Sequence, residues 1–143
     1  MKSFVDFLTD TNPKTVNKVT KAFDKTGSSA YMSAFIEEAT SGSEVDFPKV
    51  KCMITNNFIC GYDMTFINNQ IFVLPLNQVT NIYRGNINYE DKYDFSGFSL
   101  FVDTTDGSRV SIQHTLCSTK KINIYDEVID YVKNKLSISG KEA

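Results

Sequence analysis

The chain has 143 residues, of which 41% are hydrophobic and 13% aromatic, with seven glycines and three prolines. This length suits one domain with a hydrophobic core, and the composition excludes a disordered, collagen-like or linker-like chain. Fifteen basic and seventeen acidic residues give a net charge of −2, and thirteen of the basic residues are lysines. Nucleic-acid-binding proteins usually have a basic excess, so we expect no nucleic acid partner.

The N-terminus does not have the pattern of a targeting or membrane segment. Its apolar patch runs from Phe4 to Leu8 and is interrupted by Asp6. A secretory signal needs roughly 7–15 apolar residues and a membrane-spanning helix about 20. The three cysteines, an odd number, fit a reducing compartment better than a disulfide framework. We therefore expect a cytoplasmic protein without a strong membrane signal.

The first 45 residues are predicted to be helical, with two short helices. Asn12 followed by Pro13 is typical of a helix start, because Asn caps the first turn and Pro needs no N–H partner there. This helix is expected to end at Gly27, and a second helix is expected to have its cap at Ser28 or Ser29. The apolar stripe of the first helix has helical spacing: Val16, Val19 and Phe23. Its lysines lie outside the stripe and are interpreted as ordinary solvated charges: Lys14, Lys18, Lys21 and Lys25.

From Val50 onward the hydrophobic period changes from 3.6 to 2, which indicates antiparallel strands. About six strands are predicted, at residues 50–54, 58–62, 71–76, 79–85, 98–103 and 109–113. Short polar pairs mark the predicted turns: Asn56-Asn57, Asn68-Asn69 and Asp106-Gly107. The stretch from Gly85 to Gly97 is predicted to be a polar loop, and a closing helix is predicted from about Ile122 to Leu136.

The order of elements predicts an α+β fold. It consists of an antiparallel bent β-sandwich or open barrel with a capping C-terminal helix and an N-terminal helical extension. Strands that follow one another without intervening helices argue against a parallel sheet.

Three phrases of the strand region carry a family resemblance: MITNNFICG (53–61), IFVLPLNQVTNIYR (71–84) and SLFVDTTDGSRVSI (99–112). Together with the closing helix, they resemble the bacterial pleckstrin-homology-like (PH-like) domains of unknown function, over roughly Val50 to Leu136. The resemblance implies a seven-stranded bent sandwich capped by a C-terminal helix. It also implies the domain limits: 1–47 as an N-terminal helical extension, 48–137 as the PH-like domain and 138–143 as a disordered tail.

Phosphoinositide-binding members of the wider PH superfamily use several Lys and Arg residues near the first hairpin loop. Here the corresponding hairpin offers Lys49 and Lys51 at its start, while its turn is Asn56-Asn57. The resemblance therefore implies a fold without implying an inositol-lipid site.

The cysteines and the histidine offer two alternative chemistries. Cys52, Cys60, His114 and Cys117 are the residue types of a zinc site, but Cys52 and Cys60 do not form the close pair that such sites use. Alternatively, His114 and Cys117 are a base and a nucleophile, with Cys117 just before a helix that starts with lysines. The competing interpretation is that these are structural residues, with Cys52 in the core. We expect no metal, no cofactor and no catalytic residue.

The predicted function is a non-catalytic module that mediates protein–protein interaction or self-association, with an unidentified protein or a second copy of the chain as partner. Its contact surface would be an exposed edge strand or the N-terminal helices. A small-ligand or lipid-head-group-binding domain is the first alternative, and a Cys/His-dependent enzyme is the second. The predicted binding residues combine cations with loop tyrosines: Arg84, Tyr89, Tyr93, Lys49 and Lys51.

Overall fold

A computed structural model describes residues 3–64, 69–89, 95–116 and 119–137. The chain divides into two compact units, Met1–Pro75 and Leu76–Ala143. The first unit contains helices and a four-stranded antiparallel sheet, and the second contains a three-stranded antiparallel sheet and a long helix. The predicted α+β class is confirmed. The strands that the structure describes form two sheets and not a closed barrel.

Three α-helices and one 3₁₀ turn (Ser29–Tyr31) precede the first sheet: α1 (Phe4–Thr9), α2 (Pro13–Lys25) and α3 (Met32–Ala39). The predicted start of α2 is confirmed, because the side chain of Asn12 accepts a hydrogen bond from the Lys14 backbone N–H at 2.9 Å. The next helix begins later than predicted, since the 3₁₀ turn occupies the residues after Ser28.

Helix α1 is missing from the sequence prediction. Ser3 and Asp6 form a capping box at its start, in which each side chain accepts a hydrogen bond from the backbone N–H of the other residue. The helix has only six residues, which is too short for a recognisable apolar period. Its existence depends on the packing of Phe4 and Leu8, which are both buried.

The first sheet has the order β1-β2-β3-β4, and all neighbouring strands are antiparallel. Its strands are β1 (Val45–Phe47), β2 (Cys52–Ile54), β3 (Phe58–Met64) and β4 (Asn69–Pro75). The strand predicted to start at Val50 starts instead at Cys52, because residues 48–51 form a turn in which Lys51 has a φ of 56°. Met53 is fully buried although the alternation predicts a solvent-facing position, since β2 is buried on both faces.

The helices pack on one face of this sheet. Phe35 is central to the contact, with ring centroids 6.3 Å from Phe23 of α2 and 6.2 Å from Phe58 of β3. The shared core has members in all three helices and in strands β2 to β4: Phe4, Leu8, Val19, Ala22, Phe23, Phe35, Ala39, Met53, Phe58, Cys60, Tyr62, Ile71 and Val73. The predicted boundary between residues 47 and 48 falls inside this unit, and the predicted domain limits stay a prediction.

The turn after α2 covers the outer edge of β4. The hydroxyl of Ser28 accepts a hydrogen bond from the Val73 backbone N–H at 2.9 Å, and the hydroxyl of Thr26 donates to the Ile71 carbonyl. Gly27 has a φ of 73°, which lets the chain turn between the two hydroxyls. Because β4 ends the strand order, this arrangement satisfies edge groups that would otherwise be open to another strand.

The second unit begins with a 3₁₀ turn (Leu76–Gln78) and has the strand order β5-β6-β7. Its elements are β5 (Val79–Tyr89), β6 (Phe95–Thr104), β7 (Arg109–Leu116) and α4 (Thr119–Leu136). The predicted β6–β7 hairpin is confirmed. Gly107 has a φ of 87° in its turn, and the Asp106 carboxylate accepts a hydrogen bond from the Ser108 backbone N–H at 2.9 Å.

The predicted loop from Gly85 to Gly97 is wrong over most of its length. Strand β5 continues to Tyr89 and β6 begins at Phe95, so that Gly85 pairs with Ser99 and Tyr89 pairs with Phe95. The two Asn residues of this stretch, Asn86 and Asn88, have low intrinsic strand propensity, but backbone pairing with a neighbouring strand overrides it. Residues 90–94, including Tyr93, and the predicted tail at 138–143 lie outside the described residues.

The predicted closing helix is confirmed as α4, although it begins at Thr119, earlier than the predicted Ile122. Its predicted apolar stripe has five members, of which Leu136 is half-buried and the other four are buried: Tyr125, Val128, Ile129 and Val132. Among the helices that the structure describes, none has the length and apolar character needed to cross a membrane.

We predict that Ser28→Ala lowers the free energy of unfolding by about 1–3 kcal/mol, because the buried Val73 N–H loses its acceptor. Urea unfolding followed by circular dichroism measures the change. The control is Ser33→Ala on the exposed side of α3, for which we expect a change within about 0.5 kcal/mol. Equal effects of the two substitutions would show that the Ser28 hydroxyl does not stabilise the β4 edge.

Candidate functional site

Two of the predicted binding residues lie in the turn before β2. Lys49 is exposed, and the Nζ of Lys51 forms an ion pair with Asp63 Oδ1 at 3.0 Å. The positive φ of Lys51 places it in the left-handed region, where a non-glycine residue is uncommon. The positive charge of Lys51 is therefore already paired with the Asp63 carboxylate of β3.

The other predicted binding residues belong to the second unit. The Nε of Arg84 donates to Asp126 Oδ1 of α4 at 2.8 Å, and both side chains remain partly exposed. Tyr89 is the last residue of β5 and not a loop residue, and Tyr93 lies outside the described residues. Arg84 thus contributes an ion pair between β5 and α4.

A group of side chains absent from the predicted site gathers on the second sheet: Tyr83, Phe101, Asp103 and Arg109. We call it the aromatic–arginine cluster. Tyr83 of β5 pairs with Phe101 of β6, and Asp103 of β6 pairs with Arg109 of β7. Because paired residues of an antiparallel sheet point to the same side and residues two apart in a strand do so too, all four share one face.

The guanidinium group of Arg109 lies against both aromatic rings. Its Cζ is 4.8 Å from the centroid of Phe101 and 5.5 Å from that of Tyr83. The two ring centroids are 5.8 Å apart. These distances are within the range of about 6 Å over which a cation is attracted to an aromatic face. The rings are half-buried, whereas Arg109 is exposed.

A chain of hydrogen bonds fixes the polar side of the cluster. Arg109 Nε donates to the Tyr83 hydroxyl at 2.8 Å, and this hydroxyl donates to Asp103 Oδ1 at 3.0 Å. The hydrogen bond to Tyr83 raises the pKa of Arg109, so the guanidinium keeps its charge. The tyrosine hydroxyl therefore joins a cation to a carboxylate, and each of the three side chains is held in one orientation.

Gly85 makes room for this arrangement. A Cβ atom built on Gly85 would lie 2.7 Å from Cε2 of Phe101, which is closer than any normal contact. The Phe101 ring therefore lies over the bare backbone of β5 beside Tyr83. A side chain at position 85 would displace the ring on which Arg109 rests.

The pairing of Asp103 with Arg109 does not follow from the predicted turn. A two-residue turn at Asp106-Gly107 would place Thr104 opposite Arg109, whereas the structure places Asp103 there. The place of Tyr83 in the cluster could not be predicted from the sequence, because the β5–β6 register shifts between Val79 and Asn81. A register irregularity of this kind has no reliable sequence signal.

The first unit contains a second polar group, beneath α1. The Tyr62 hydroxyl donates to Asp46 Oδ1 at 3.1 Å, and the Tyr62 ring stacks on Phe4 with centroids 3.6 Å apart. Burial, and then the Asp46 charge, raise the pKa of Tyr62, so its hydroxyl stays protonated. Burial also raises the pKa of Asp46, against the hydrogen bond from Tyr62. This pair fixes the ring against which α1 packs.

Cys52 and Cys60 are buried, free cysteines of the first sheet. Cys52 pairs with Gly61, whereas Cys60 pairs with Met53, so the two thiols point to opposite faces. Burial raises the pKa of Cys52 to about 12 and also raises the pKa of Cys60, which keeps both thiols protonated. This supports the interpretation of Cys52 as a core residue.

The alternatives that involve His114 and Cys117 stay predictions. His114 belongs to β7, opposite Ser99, and Cys117 lies outside the described residues. Within the described ranges, no three His, Cys, Asp or Glu side chains are grouped as a metal site requires.

Comparison with known proteins gives no relative. No protein family matches the chain, and no similar protein or solved structure was found. The resemblance to PH-like domains is therefore neither supported nor contradicted by these comparisons.

We predict that Cys52 and Cys60 of the folded protein react with iodoacetamide at pH 7.5 roughly a thousandfold or more slowly than an exposed thiol. Their reaction requires unfolding, because both thiols are buried and protonated. Mass spectrometry of peptides, sampled over time with and without urea, gives the rate at each cysteine. Rapid labelling of either residue without urea would contradict the prediction.

Proposed function

We propose that the chain is a non-catalytic, cytoplasmic PH-like module that binds another protein through the aromatic–arginine cluster. The observation that carries the proposal is the exposed Arg109 held on the half-buried rings of Tyr83 and Phe101. A PH-like module is expected to have seven strands and a closing helix, and the described residues contain seven strands and a closing helix.

The composition of the cluster suits a protein interface. Tyr, Phe and Arg are enriched in interface centres, and residues whose truncation costs the most binding free energy are most often Trp, Tyr and Arg. An aromatic ring contributes a large contact area with few rotatable bonds. Here the pairs Tyr83–Phe101 and Tyr83–Arg109 are already in contact, so less conformational entropy is lost when a partner binds.

The polar groups of the cluster indicate what the partner surface contains. Only Nε of Arg109 is used within the cluster, so its terminal NH₂ groups are available to donate to a partner. A planar guanidinium fork matches a carboxylate or a pair of carbonyl oxygens. Asp103, two residues away from Phe101 on the same face, accepts from Tyr83 and adds a negative charge. A partner with both a carboxylate and a donor, beside an apolar centre, is therefore the best complement.

The small-ligand or lipid-head-group alternative has weaker support. Two of its three proposed cations are already in ion pairs, Lys51 with Asp63 and Arg84 with Asp126. A ligand at these residues would have to compete with a carboxylate at about 3 Å in each case. The aromatic–arginine cluster requires no such competition.

We predict that Arg109→Ala reduces partner binding at least tenfold, since it removes the exposed centre of the cluster. The matched control is Arg84→Ala, which removes an arginine of the same sheet that pairs with α4. Proteins from a lysate of the source organism are captured on each immobilised variant and quantified by mass spectrometry. The supporting result is a set of proteins that needs Arg109 and tolerates the loss of Arg84. Equal capture by Arg109→Ala and Arg84→Ala would contradict the proposal.

A second copy of the chain is the simplest partner to test, because Arg109 and Asp103 give the cluster both charges that a two-fold symmetric contact needs. We predict that the molar mass from light scattering rises with concentration for the wild type and stays monomeric for Arg109→Ala. A wild-type protein that stays monomeric up to millimolar concentration would exclude self-association. Binding of a different protein would then be decided by the capture experiment.

A further inference from the structure

Helix α2 carries a row of lysines along one side: Lys14, Lys18, Lys21 and Lys25. Their spacing of four, three and four residues places them within about 60° of one another around the helix axis. The row is about 16 Å long, since each helical residue rises about 1.5 Å. We call it the lysine row. Three of its members are exposed, and Lys18 is partly buried beside α1.

Ion pairs with the described residues do not neutralise this row. Among the residues that the structure describes, no carboxylate forms an ion pair with any of the four ammonium groups. Lys18 instead lies over the Phe7 ring, with its Nζ 5.9 Å from the centroid. Asp24, the acidic residue of the same helix, accepts a hydrogen bond from the Ser29 hydroxyl.

The arrangement is unfavourable for the isolated helix. Like charges three or four residues apart repel each other, and the row contains three such neighbouring pairs. A natural helix normally relieves this repulsion by interleaving acidic residues at the same spacings. The first turn of α2 contains no acidic residue, so the helix dipole there adds to the positive charge. An external anionic surface would remove the repulsion.

We infer that the lysine row is a docking surface for an anionic lipid bilayer, distinct from the aromatic–arginine cluster and independent of it. A straight row on the outer side of a helix can approach a flat surface along its whole length. Clusters of four or more lysines or arginines on a helix are typical of binding to anionic lipids. The exposed apolar residue of α2, Val16, is about 160° from Lys14 around the helix axis, so attachment is electrostatic and does not depend on insertion.

Nucleic acid is the competing anionic partner, and it fits the row less well. The row contains lysines only, and it lacks the arginines that bind phosphates and bases in a bidentate way. The whole chain has a net charge of −2, which opposes a ligand that surrounds the protein with phosphates. A planar bilayer contacts only the face that carries the row.

The first test is vesicle binding by the full chain. Vesicles of pure phosphatidylcholine are compared with vesicles that contain 40 mol% phosphatidylserine, at 0.15 M salt. Each lysine near an anionic surface contributes roughly a fivefold increase in binding, so we expect at least a hundredfold preference for the phosphatidylserine vesicles. We expect this preference to disappear at 1 M salt, where the screening length falls to about 3 Å. Equal binding to both vesicles at 0.15 M salt would overturn the inference.

The second test separates the row from the overall charge. The triple variant Lys14→Gln, Lys21→Gln, Lys25→Gln keeps Lys18 on Phe7 and is expected to bind roughly a hundredfold more weakly. The control variant Lys133→Gln, Lys135→Gln, Lys141→Gln has the same net charge and is expected to bind within about fivefold of the wild type. Circular dichroism melting verifies that both variants fold. An equal loss in both would overturn the inference, because net charge alone would then explain the binding.

The third test addresses the competing partner. A fluorescent 20-base-pair DNA duplex and a single-stranded RNA of 20 nucleotides are titrated with the full chain at 0.15 M salt. We expect binding at least tenfold weaker than to the phosphatidylserine vesicles at equal concentrations of accessible anionic groups. Tighter binding to either nucleic acid, lost in the α2 triple variant, would overturn the assignment to a bilayer. The vesicle and nucleic-acid experiments test the lysine row, and the Arg109 experiments test the aromatic–arginine cluster. A negative result for one surface therefore does not contradict the proposal for the other.

Discussion

The register of β6 against its two neighbours is the constraint on which the candidate site depends. It pairs Phe101 with Tyr83 and Asp103 with Arg109 on one face, while Leu100 and Val102 are fully buried on the other. Because side chains alternate along a strand, a slip of one residue would exchange the two faces. Such a slip would bury the charges of the cluster and expose the core. The apolar face therefore fixes the geometry of the polar face.

An irregularity in the β6–β7 pairing adjusts this geometry next to the cluster. Leu100 pairs with Gln113 and Phe101 with Ser111, so Ile112 is an extra residue on β7. Ile112 is nevertheless buried, which shows that the bulge keeps its side chain in the core. Bulges increase the local twist and redirect side chains, and they are common beside functional sites. The aromatic ring that supports Arg109 thus lies at the position where the sheet departs from regular pairing.

The sequence predicts best those elements that have strong local signals. Asn12 marks the start of α2, and the Asp106-Gly107 turn marks the β6–β7 hairpin, because a cap and a positive φ are properties of single residues. The elements that depend on distant partners were missed. Helix α1 is stabilised by the stacking of Phe4 on Tyr62, and the part of β5 after Gly85 is stabilised by pairing with β6. The cluster requires three strands in register, which no local pattern specifies.

The net charge of the whole chain does not show how its charges are distributed. The whole chain has a net charge of −2, whereas α2 alone contains four lysines and Asp24, which gives +3 for the helix. The net charge of the chain excludes a surface that is basic throughout, but it does not exclude a local basic patch. The lysine row becomes visible only when the residues of α2 are placed on a helix. The two surfaces also act over different distances. Contact at Arg109 depends on short-range packing on rings, whereas attraction at the lysine row is long-range and weakens with salt. Ionic strength therefore distinguishes the two surfaces of this protein experimentally.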